Sequence, residues 1–244
     1  MGSVIKSIKT DSIDVVVLCG GEGSRLKQVV SDRPKPMADI NGVPFLDILF
    51  DYLKRFGFKR FVLCTGYMAD FIESYYKEKK DTTEILFSYE SNPLGTAGAI
   101  KNAEKLLHSN TILVLNGDSF CTVDLLKYIE FHRQKKALLS IALLESNETS
   151  DFGQIVLDEN EQVISFKEKS NSDEKTFINS GIYLFEKQIL SMIPTGIKYS
   201  LEYDLFPKLV DKGLYGFRFH GKFIDIGTPE SYLLAEEFFS RGCT

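Results

Sequence analysis

The sequence predicts an α/β protein built on a mostly parallel central sheet. In the first half, short apolar runs typical of buried strands alternate with segments in which apolar residues recur at helical spacing. Strands that alternate with helices form βαβ units, and neighbouring strands of such units run parallel. Beyond residue 138 the pattern changes to strand-like segments joined by short polar turns. We therefore expect a parallel sheet in the first half and a β-rich second half.

The first half is expected to contain strands that alternate with helices in order along the chain. The strands are predicted at 15–17, 60–65, 84–89 and 111–115, and the helices at 44–56, 70–79 and 98–107. Pro34-Lys35-Pro36 excludes a regular helix over 31–41, because proline lacks the backbone donor and restricts the residue before it. Asn41-Gly42 is a turn signal, and Gly57 is a typical residue at the end of a helix.

The second half is expected to be richer in strands. Strands are predicted at 137–144, 154–157, 163–167, 178–185 and 215–226, and helices at 200–212 and 229–240. No internal repeat, low-complexity segment or flexible linker interrupts the sequence. We therefore expect residues 1–244 to form one domain with two halves, at about 14–136 and 137–244.

A glycine-rich stretch, LCGGEGSRL at 18–26, follows the first predicted strand. Gly20, Gly21 and Gly23 let the chain turn sharply and let a ligand approach the backbone N–H groups. Consecutive amides of this kind bind anions, and Arg25 adds a permanently charged, forked donor suited to phosphate. The stretch is neither a P-loop, which needs GxxxxGK[ST], nor a GxGxxG dinucleotide motif. A turn without a ligand is the simpler interpretation, and the working hypothesis is a nucleotide-phosphate site of another kind.

Glu90 and Asp118 also come directly after predicted strands. In open α/β sheets, ligands bind outside the carboxyl ends of the strands. We therefore expect the glycine-rich stretch, Glu90 and Asp118 to line one cleft.

The composition limits the classes of partner. The chain of 244 residues has a net charge of −5 and a pI near 5.4, which argues against nonspecific nucleic-acid binding because that needs a concentrated basic surface. No apolar run approaches the roughly 18 residues that a membrane-spanning helix needs, and residues 1–13 lack the apolar core of a signal peptide. The four cysteines show no CxxC pair or zinc-ligand spacing. We expect a cytoplasmic protein with reduced cysteines that binds neither nucleic acid nor a membrane.

Seven short motifs, in order along nearly the whole chain, resemble those of the sugar-1-phosphate nucleotidyltransferases. They are LCGGEGSRL at 18–26, RPKPM at 33–37, PLGTAGAI at 93–100, NGD at 116–118, FKEK at 166–169, NSGIY at 179–183 and DIGTPE at 225–230. Each motif is weak alone, and the ordered set is specific. Within the family the sequence is most similar to the guanylyltransferases, in particular the short heptose-1-phosphate type. We expect no C-terminal left-handed β-helix of the kind that longer members carry.

The resemblance implies a Rossmann-like fold of the nucleotide-diphospho-sugar transferase type, with a nucleotide-binding half and a sugar-binding half. The implied reaction is in-line attack of a sugar-1-phosphate oxygen on the α-phosphorus of a nucleoside triphosphate, which releases pyrophosphate. Such transfers depend mainly on positioning and charge neutralisation. A Mg²⁺ ion that bridges the phosphates is therefore expected.

The same resemblance implies roles for individual residues. Asp118 and Asp225 match the metal ligands, although aspartates at such places also cap helices or close turns. Arg25 and Lys35 match positions that bind the triphosphate and stabilise the charge of the transition state. The implied nucleotide-binding set is Leu18, Gly20, Gly21, Gly23, Arg25, Lys35, Glu90, Gly95 and Asp118.

The implied sugar-phosphate-binding set is Gly153, Glu168, Lys169 and Asn179. Lys169 matches the lysine that binds the incoming sugar phosphate, and without the resemblance it would be interpreted as a surface lysine in a charged run. The family's motif is more often EEKP than the FKEKS at 166–170 of this chain. The missing proline is a departure from the family in this loop.

Glu90 stands five residues before Gly95, where the family reads the nucleobase. Guanine offers two adjacent donors to an acceptor-only carboxylate, whereas uracil and thymine suit an amide better. GTP and D-glycero-α-D-manno-heptose 1-phosphate are thus the expected substrates.

Three alternatives remain at this point. The first is a mannose-1-phosphate guanylyltransferase, and the second is a thymidylyl-, uridylyl- or cytidylyltransferase of the same fold. The third is a silent homologue that binds nucleotide sugars to regulate a partner, which is disfavoured because the implied catalytic residues occur together. Whether the chain forms a homo-oligomer stays open.

Overall fold

The structure, a computed structural model, describes residues 8–79, 83–146, 154–167 and 176–240. The strands are β1 (Asp14–Leu18), β2 (Asp39–Ile40), β3 (Val43–Pro44), β4 (Arg60–Thr65), β5 (Glu84–Tyr89), β6 (Thr111–Asn116), β7 (Ser119–Cys121), β8 (Leu139–Ser146), β9 (Gln154–Leu157), β10 (Val163–Lys167), β11 (Thr176–Glu186), β12 (Leu214–Phe219) and β13 (Phe223–Asp225). The α-helices are α1 (Phe45–Arg55), α2 (Ala69–Glu78), α3 (Gly95–Asn102), α4 (Leu125–Lys135), α5 (Phe206–Leu209) and α6 (Pro229–Ser240). Within these ranges, no helix is both long enough and apolar enough to cross a membrane.

Seven strands form one sheet in the order β12-β8-β11-β6-β1-β4-β5. Of these seven, only β11 runs antiparallel to its neighbours. The strands β6, β1, β4 and β5 pair in parallel, as do β8 and β12. This topology confirms the predicted α/β class with a mostly parallel sheet.

Apolar side chains pack on both faces of this sheet. Val15 and Val17 of β1 belong to a core that includes residues of α1, α2 and α4, whereas Val16 belongs to the core that contains α3. All three valines are fully buried, because successive side chains of a strand point to opposite faces. This arrangement explains why β1 is a continuous run of β-branched residues. The loops beyond the carboxyl ends of the parallel strands are thus the part of the sheet that a ligand reaches.

Two turns predicted from the sequence are confirmed. The hairpin between β2 and β3 contains Asn41 and Gly42 with φ of 54° and 85°, and positive φ at both positions is what a type I′ turn requires. Gly57 follows α1 with φ of 87°, and its N–H donates to the carbonyl of Lys54 at 2.9 Å. Over 31–41 the only helical segment is a short 3₁₀ helix at Lys35–Met37, which is followed by β2, so the predicted absence of a regular helix is confirmed.

The sequence does not predict α4, although the signals are present. Asp124 caps this helix, because its Oδ1 accepts a hydrogen bond from the N–H of Lys127 at 3.1 Å. Leu125, Ile129 and His132 are buried at the spacing of one helix face. The charged residues between them weaken the periodic pattern, which explains the omission.

Three other predicted elements differ in extent. The helix predicted over 98–107 is α3 followed by a 3₁₀ helix, and the helix predicted over 200–212 is a π-helical turn followed by the short α5. A single strand over 215–226 is wrong, since β12 and β13 are separate. The chain passes close to Thr122 between them, because a Cβ built on Gly221 would lie 2.8 Å from the Thr122 carbonyl oxygen.

Candidate active site

The glycine-rich stretch lies at the carboxyl end of β1 and is anchored to the neighbouring loops. The N–H of Gly117 donates to the carbonyl of Leu18 at 3.0 Å, and the N–H of Tyr67 donates to the carbonyl of Gly20 at 3.1 Å. Gly66 packs so closely that a Cβ built on it would lie 2.9 Å from the same Gly20 oxygen. The loops after β4 and β6 therefore fix where the stretch begins.

The three glycines of the stretch differ in the space that a side chain would have at each position. A Cβ on Gly20 would lie 2.6 Å from Oε1 of Glu90, so a side chain there would displace that carboxylate. Gly23 has φ of 60°, and a Cβ on it would lie 3.1 Å from Cβ of Lys35. Gly21 is exposed, and a Cβ on it would meet nothing within 4 Å. The backbone at Gly21 is thus open to a ligand.

Arg25 follows the glycines and is exposed. Within the described part of the chain, its guanidinium makes no hydrogen bond or ion pair. The next residue, Leu26, is buried and begins a 3₁₀ helix, which fixes the backbone while the Arg25 side chain stays available. A free guanidinium beside open backbone amides is suited to phosphate.

Lys35 forms a close ion pair with Asp118. Its Nζ lies 2.6 Å from Oδ2 of Asp118, and the side chains are 12% and 38% exposed, respectively. The aliphatic part of Lys35 packs against Gly23, and Pro34 and Pro36 restrict the backbone on either side. The structure therefore brings together Lys35 and Asp118, which are both predicted site residues.

A two-stranded ribbon of β7 and β13 brings Asp225 to the same place. The N–H of Ile226, at the end of this ribbon, donates to the carbonyl of Asp118 at 2.9 Å. A Cβ built on Gly227 would lie 2.6 Å from Oδ1 of Asp225 and 3.4 Å from Nζ of Lys35. The two predicted carboxylates thus lie close to one ammonium group, although one follows β6 and the other comes from the second half of the chain.

The two carboxylates fit a divalent cation. Oδ1 of Asp225 accepts hydrogen bonds from the N–H of Gly227 at 2.7 Å and from the hydroxyl of Ser231 at 3.3 Å, which fixes the orientation of the carboxylate. The ammonium of Lys35 shows that this place already accommodates positive charge. Among the described residues, no group of three or more His, Cys, Asp or Glu side chains could hold a metal ion. Phosphate oxygens of a substrate would therefore have to complete the coordination, as is usual for Mg²⁺.

Glu90 lies beneath the glycine-rich stretch. Its Oε2 accepts a hydrogen bond from the N–H of Leu94 at 3.2 Å, while Oε1 faces Gly20. Burial raises the pKa of Glu90 above its ordinary value. Gly95 has φ of 71°, and a Cβ on it would lie 2.8 Å from the carbonyl oxygen of Tyr199. Packing against Tyr199 therefore explains the glycine at this position without a ligand.

Asn179 is the one predicted sugar-phosphate-binding residue that lies within the described residues. Gly153, Glu168 and Lys169 lie outside them. Oδ1 of Asn179 accepts a hydrogen bond from the N–H of Gly181 at 3.0 Å, and Nδ2 donates to the hydroxyl of Tyr183 at 3.1 Å. These bonds orient the side chain where the register between β11 and β8 shifts.

A polar network next to Asn179 is absent from the sequence prediction. The hydroxyl of Tyr183 donates to Oε1 of Glu202 at 3.5 Å, and the hydroxyls of Thr96 and Ser200 donate to Oε2 at 3.3 Å and 2.9 Å. Glu202 lies in the π-helical turn Leu201–Leu205, a local geometry that is frequent at functional sites. The sequence signal is a serine two residues before a glutamate, which resembles an ordinary helix cap.

Comparison with known proteins identifies the family. The family model described as nucleotidyl transferase matches residues 14–242, from the start of β1 to beyond the end of α6. The chain belongs to the nucleotidyl transferase family. This finding confirms the resemblance carried by the ordered motifs.

Two relatives and one solved structure match this nucleotidyl transferase over nearly their whole length. It is 38% identical over 226 residues to the D-glycero-α-D-manno-heptose 1-phosphate guanylyltransferase of Aneurinibacillus thermoaerophilus, covering 92% of this chain and 97% of the relative. It is 39% identical over 220 residues to the protein of the same name from Campylobacter jejuni, covering 90% and 97%. The crystal structure of HddC from Yersinia pseudotuberculosis complexed with GMP-PN superposes with a TM-score of 0.81 at 40% identity, covering 93% of this chain and 99% of that chain.

Proposed function

We propose that this nucleotidyl transferase transfers a guanylyl group from GTP to D-glycero-α-D-manno-heptose 1-phosphate, giving GDP-heptose and pyrophosphate. The observation that carries the proposal is the carboxylate of Glu90, which lies against Gly20 beneath the glycine-rich stretch. Two relatives named for this reaction, each matched over 97% of its length, support the choice of substrates.

The glycine-rich stretch binds the triphosphate in this proposal. The open backbone at Gly21 offers amide donors, and the unpaired guanidinium of Arg25 neutralises phosphate charge. Lys35 exchanges Asp118 for a phosphate oxygen when the triphosphate binds, because its side chain packs against Gly23 of the stretch while its ammonium pairs with Asp118. Amides and cations fixed in this way position the α-phosphorus for in-line attack and stabilise the transition-state charge.

Asp118 and Asp225 would hold Mg²⁺, since hard carboxylate oxygens suit that ion. When bound, the ion would neutralise charge on the phosphates. The hydrogen bonds from Gly227 and Ser231 keep the Asp225 carboxylate in a fixed orientation.

Glu90 reads the base as guanine in this proposal. Guanine presents N1–H and the N2 amino group side by side, and an ionised carboxylate accepts both hydrogen bonds. The N–H of Leu94 holds the Glu90 carboxylate through Oε2. Gly20 leaves room for the carboxylate because it has no side chain.

The second half of the chain binds the acceptor in this proposal. Asn179 meets a ring hydroxyl, and its orientation is set by Gly181 and Tyr183. By their match to the family motifs, Lys169 binds the sugar phosphate, and Glu168 and Gly153 contact the ring.

We also propose a cytoplasmic location, because the cysteines Cys19, Cys64 and Cys121 are free and buried, as expected where thiols stay reduced.

A substrate panel tests the proposed function. GTP, UTP, dTTP, CTP and ATP are each combined with the 1-phosphates of the heptose, mannose and glucose, and pyrophosphate release is measured in the presence of Mg²⁺. We expect the highest kcat/KM with GTP and the heptose 1-phosphate. A higher kcat/KM with UTP or dTTP would refute the assignment as a guanylyltransferase. If no pair of substrates releases pyrophosphate, the assignment as an enzyme is refuted.

A further inference from the structure

We propose that Lys27 and Tyr67 act as a pair of positioning residues that hold the glycine-rich stretch in its phosphate-binding shape. Nζ of Lys27 lies 4.2 Å from the centre of the Tyr67 ring. Lys27 belongs to the 3₁₀ helix Leu26–Gln28, which follows the stretch, and Tyr67 belongs to the loop after β4. The inference rests on the proposed function to the extent that the stretch binds a triphosphate.

Tyr67 holds the stretch at both of its ends. Its backbone N–H donates to the carbonyl of Gly20, at the beginning, and its ring contacts the ammonium of Lys27, just beyond the end. The ammonium also lies 3.6 Å from Oε2 of Glu22, in the middle of the stretch. The Lys27 ammonium therefore ties the middle of the stretch to the ring that flanks it.

A fixed shape matters here because glycine has the largest backbone freedom of any residue. A stretch with three glycines loses much conformational entropy when it closes on a phosphate, and this loss weakens binding unless the shape exists beforehand. Gly21 is exposed and meets no neighbouring side chain within 4 Å of a built Cβ. The part of the stretch around Gly21 therefore has no side-chain contact of its own at this position, and its shape depends on contacts made by the residues on either side of it.

The two cations of this region have different environments. Arg25 makes no hydrogen bond or ion pair to a described residue and is exposed. The ammonium of Lys27 lies over a ring and near a carboxylate. Arg25 is thus the cation that is available for phosphate, whereas Lys27 acts on the stretch through Tyr67.

A double-mutant cycle of Lys27→Met and Tyr67→Leu tests the pair. Cation–π contacts at partly exposed sites are modest, so we expect each single variant to raise KM for GTP about threefold to fivefold with kcat nearly unchanged. The double variant should be no worse than either single variant, because both remove the same contact. The dissociation constant of GTP, measured by calorimetry without acceptor, should rise by the same factor.

Conservative and matched variants separate positioning from loss of fold. Lys27→Arg keeps the charge and Tyr67→Phe keeps the ring, so both variants should have the wild-type KM for GTP. Lys77→Met is the matched control, because Lys77 also lies near both a carboxylate and a ring but belongs to the last turn of α2. Its Nζ lies 2.9 Å from Oε2 of Glu73 and 5.8 Å from the centre of the Phe87 ring. This control should leave KM for GTP unchanged.

Three results would overturn the pair. If Tyr67→Leu keeps the wild-type KM while Lys27→Met raises it, Lys27 acts without the ring. If the effects of the two single variants multiply in the double variant, the two residues act independently of each other. If Tyr67→Phe and Lys27→Arg raise KM for GTP as much as Tyr67→Leu and Lys27→Met do, the ring and the charge are not what positions the stretch. A wild-type preference for another triphosphate would refute only the guanylyl proposal, and the cycle run with that triphosphate would still decide on the pair.

Discussion

Nζ of Lys35 lies 2.6 Å from Oδ2 of Asp118, one of the two carboxylates proposed to hold Mg²⁺. The lysine ammonium therefore places beside Asp118 the kind of positive charge that a bound metal ion would supply there. The ammonium also lies 3.4 Å from the position of a Cβ on Gly227, beside Asp225. Lysine and metal should thus compete for the Asp118 carboxylate until a triphosphate offers Lys35 another partner.

Lys35→Gln should tighten the binding of a divalent cation to the nucleotide-free protein, because it removes the competing ammonium. Asp118 is 38% exposed, and such a pair contributes at most about 1 kcal/mol, so the expected gain is about fivefold or less. Titration with Mn²⁺, followed by electron paramagnetic resonance, measures it. Lys127→Gln is the control, since Lys127 pairs with Asp124 at 3.2 Å on α4. Unchanged or weaker Mn²⁺ binding in Lys35→Gln would contradict the competition.

Asp118→Asn and Asp225→Asn should each lower kcat by about a hundredfold or more, because each removes a negative charge and a ligand from the proposed metal site. Circular dichroism should show a retained fold, since Asn has nearly the same shape as Asp. Asp51→Asn, on the exposed side of α1, is the matched control and should keep its turnover. An Asp225→Asn enzyme with wild-type turnover and metal dependence would remove that residue from the mechanism.

Glu90→Gln should reduce the preference for GTP over UTP, because an amide presents a donor to one of the two guanine donors. The ratio of kcat/KM for the two triphosphates measures this preference. If the ratio is unchanged, Glu90 has no part in base recognition.

Recognition by Glu90 should also depend on pH. Burial raises the pKa of this carboxyl, so it is protonated at a higher pH than an ordinary glutamate, and GTP affinity should fall as pH drops through that raised pKa. The free energy of unfolding changes in the opposite sense. Between the ordinary and the raised pKa, Glu90 binds more protons in the folded state than in the unfolded state, so its contribution to stability decreases as pH rises. Glu90→Gln should abolish both dependences, and an identical pH profile of GTP affinity in this variant would contradict the assignment.

Much of the fold could be predicted because buried parallel strands leave few alternatives in the sequence. The strand β4, Arg60–Thr65, has the bounds that its apolar run predicts, since both faces of it are covered. Packing that depends on distant segments could not be predicted in the same way. The strands β12 and β13 show this, because the close approach of Gly221 to Thr122 separates them.

The placement of the candidate site residues could be predicted where it follows from the sheet topology. Glu90 and Asp118 follow strands of a parallel sheet, so their place at one edge follows from the topology. The closeness of Asp225 depends on the β7-β13 ribbon, and β7 has no signal of its own in three residues. The sequence does not single out Glu202, because the same short spacing of serine and glutamate occurs at ordinary helix caps. The contact of Lys27 with Tyr67 joins two loops, and no periodic pattern predicts such contacts.

Gly20→Ala should weaken base recognition without unfolding the protein. The new methyl group would lie 2.6 Å from Oε1 of Glu90, and the end of a flexible side chain can move aside where a backbone atom cannot. The preference for GTP over UTP should therefore fall about as far as in Glu90→Gln. Gly21→Ala is the matched variant for stability, because its methyl group would meet nothing within 4 Å. If Gly20→Ala and Gly21→Ala have equal melting temperatures and Gly20→Ala keeps the wild-type preference for GTP over UTP, the position of the Glu90 carboxylate does not matter for base recognition.

D-glycero-α-D-manno-heptose 1-phosphate should be used about tenfold more efficiently than mannose 1-phosphate, or better. The two sugars share their ring stereochemistry, so contacts with ring hydroxyls such as the one proposed for Asn179 cannot distinguish them. They differ by one carbon with its hydroxyl beyond the ring, and a polar group left without that hydroxyl costs roughly 1–3 kcal/mol. A tenfold ratio of kcat/KM corresponds to about 1.4 kcal/mol of transition-state binding, within that range. The ratio is measured with both acceptors at saturating GTP, with glucose 1-phosphate as the control for ring stereochemistry. Equal or better efficiency with mannose 1-phosphate would refute the heptose assignment and leave guanylyl transfer in place, because Glu90 acts on the base alone.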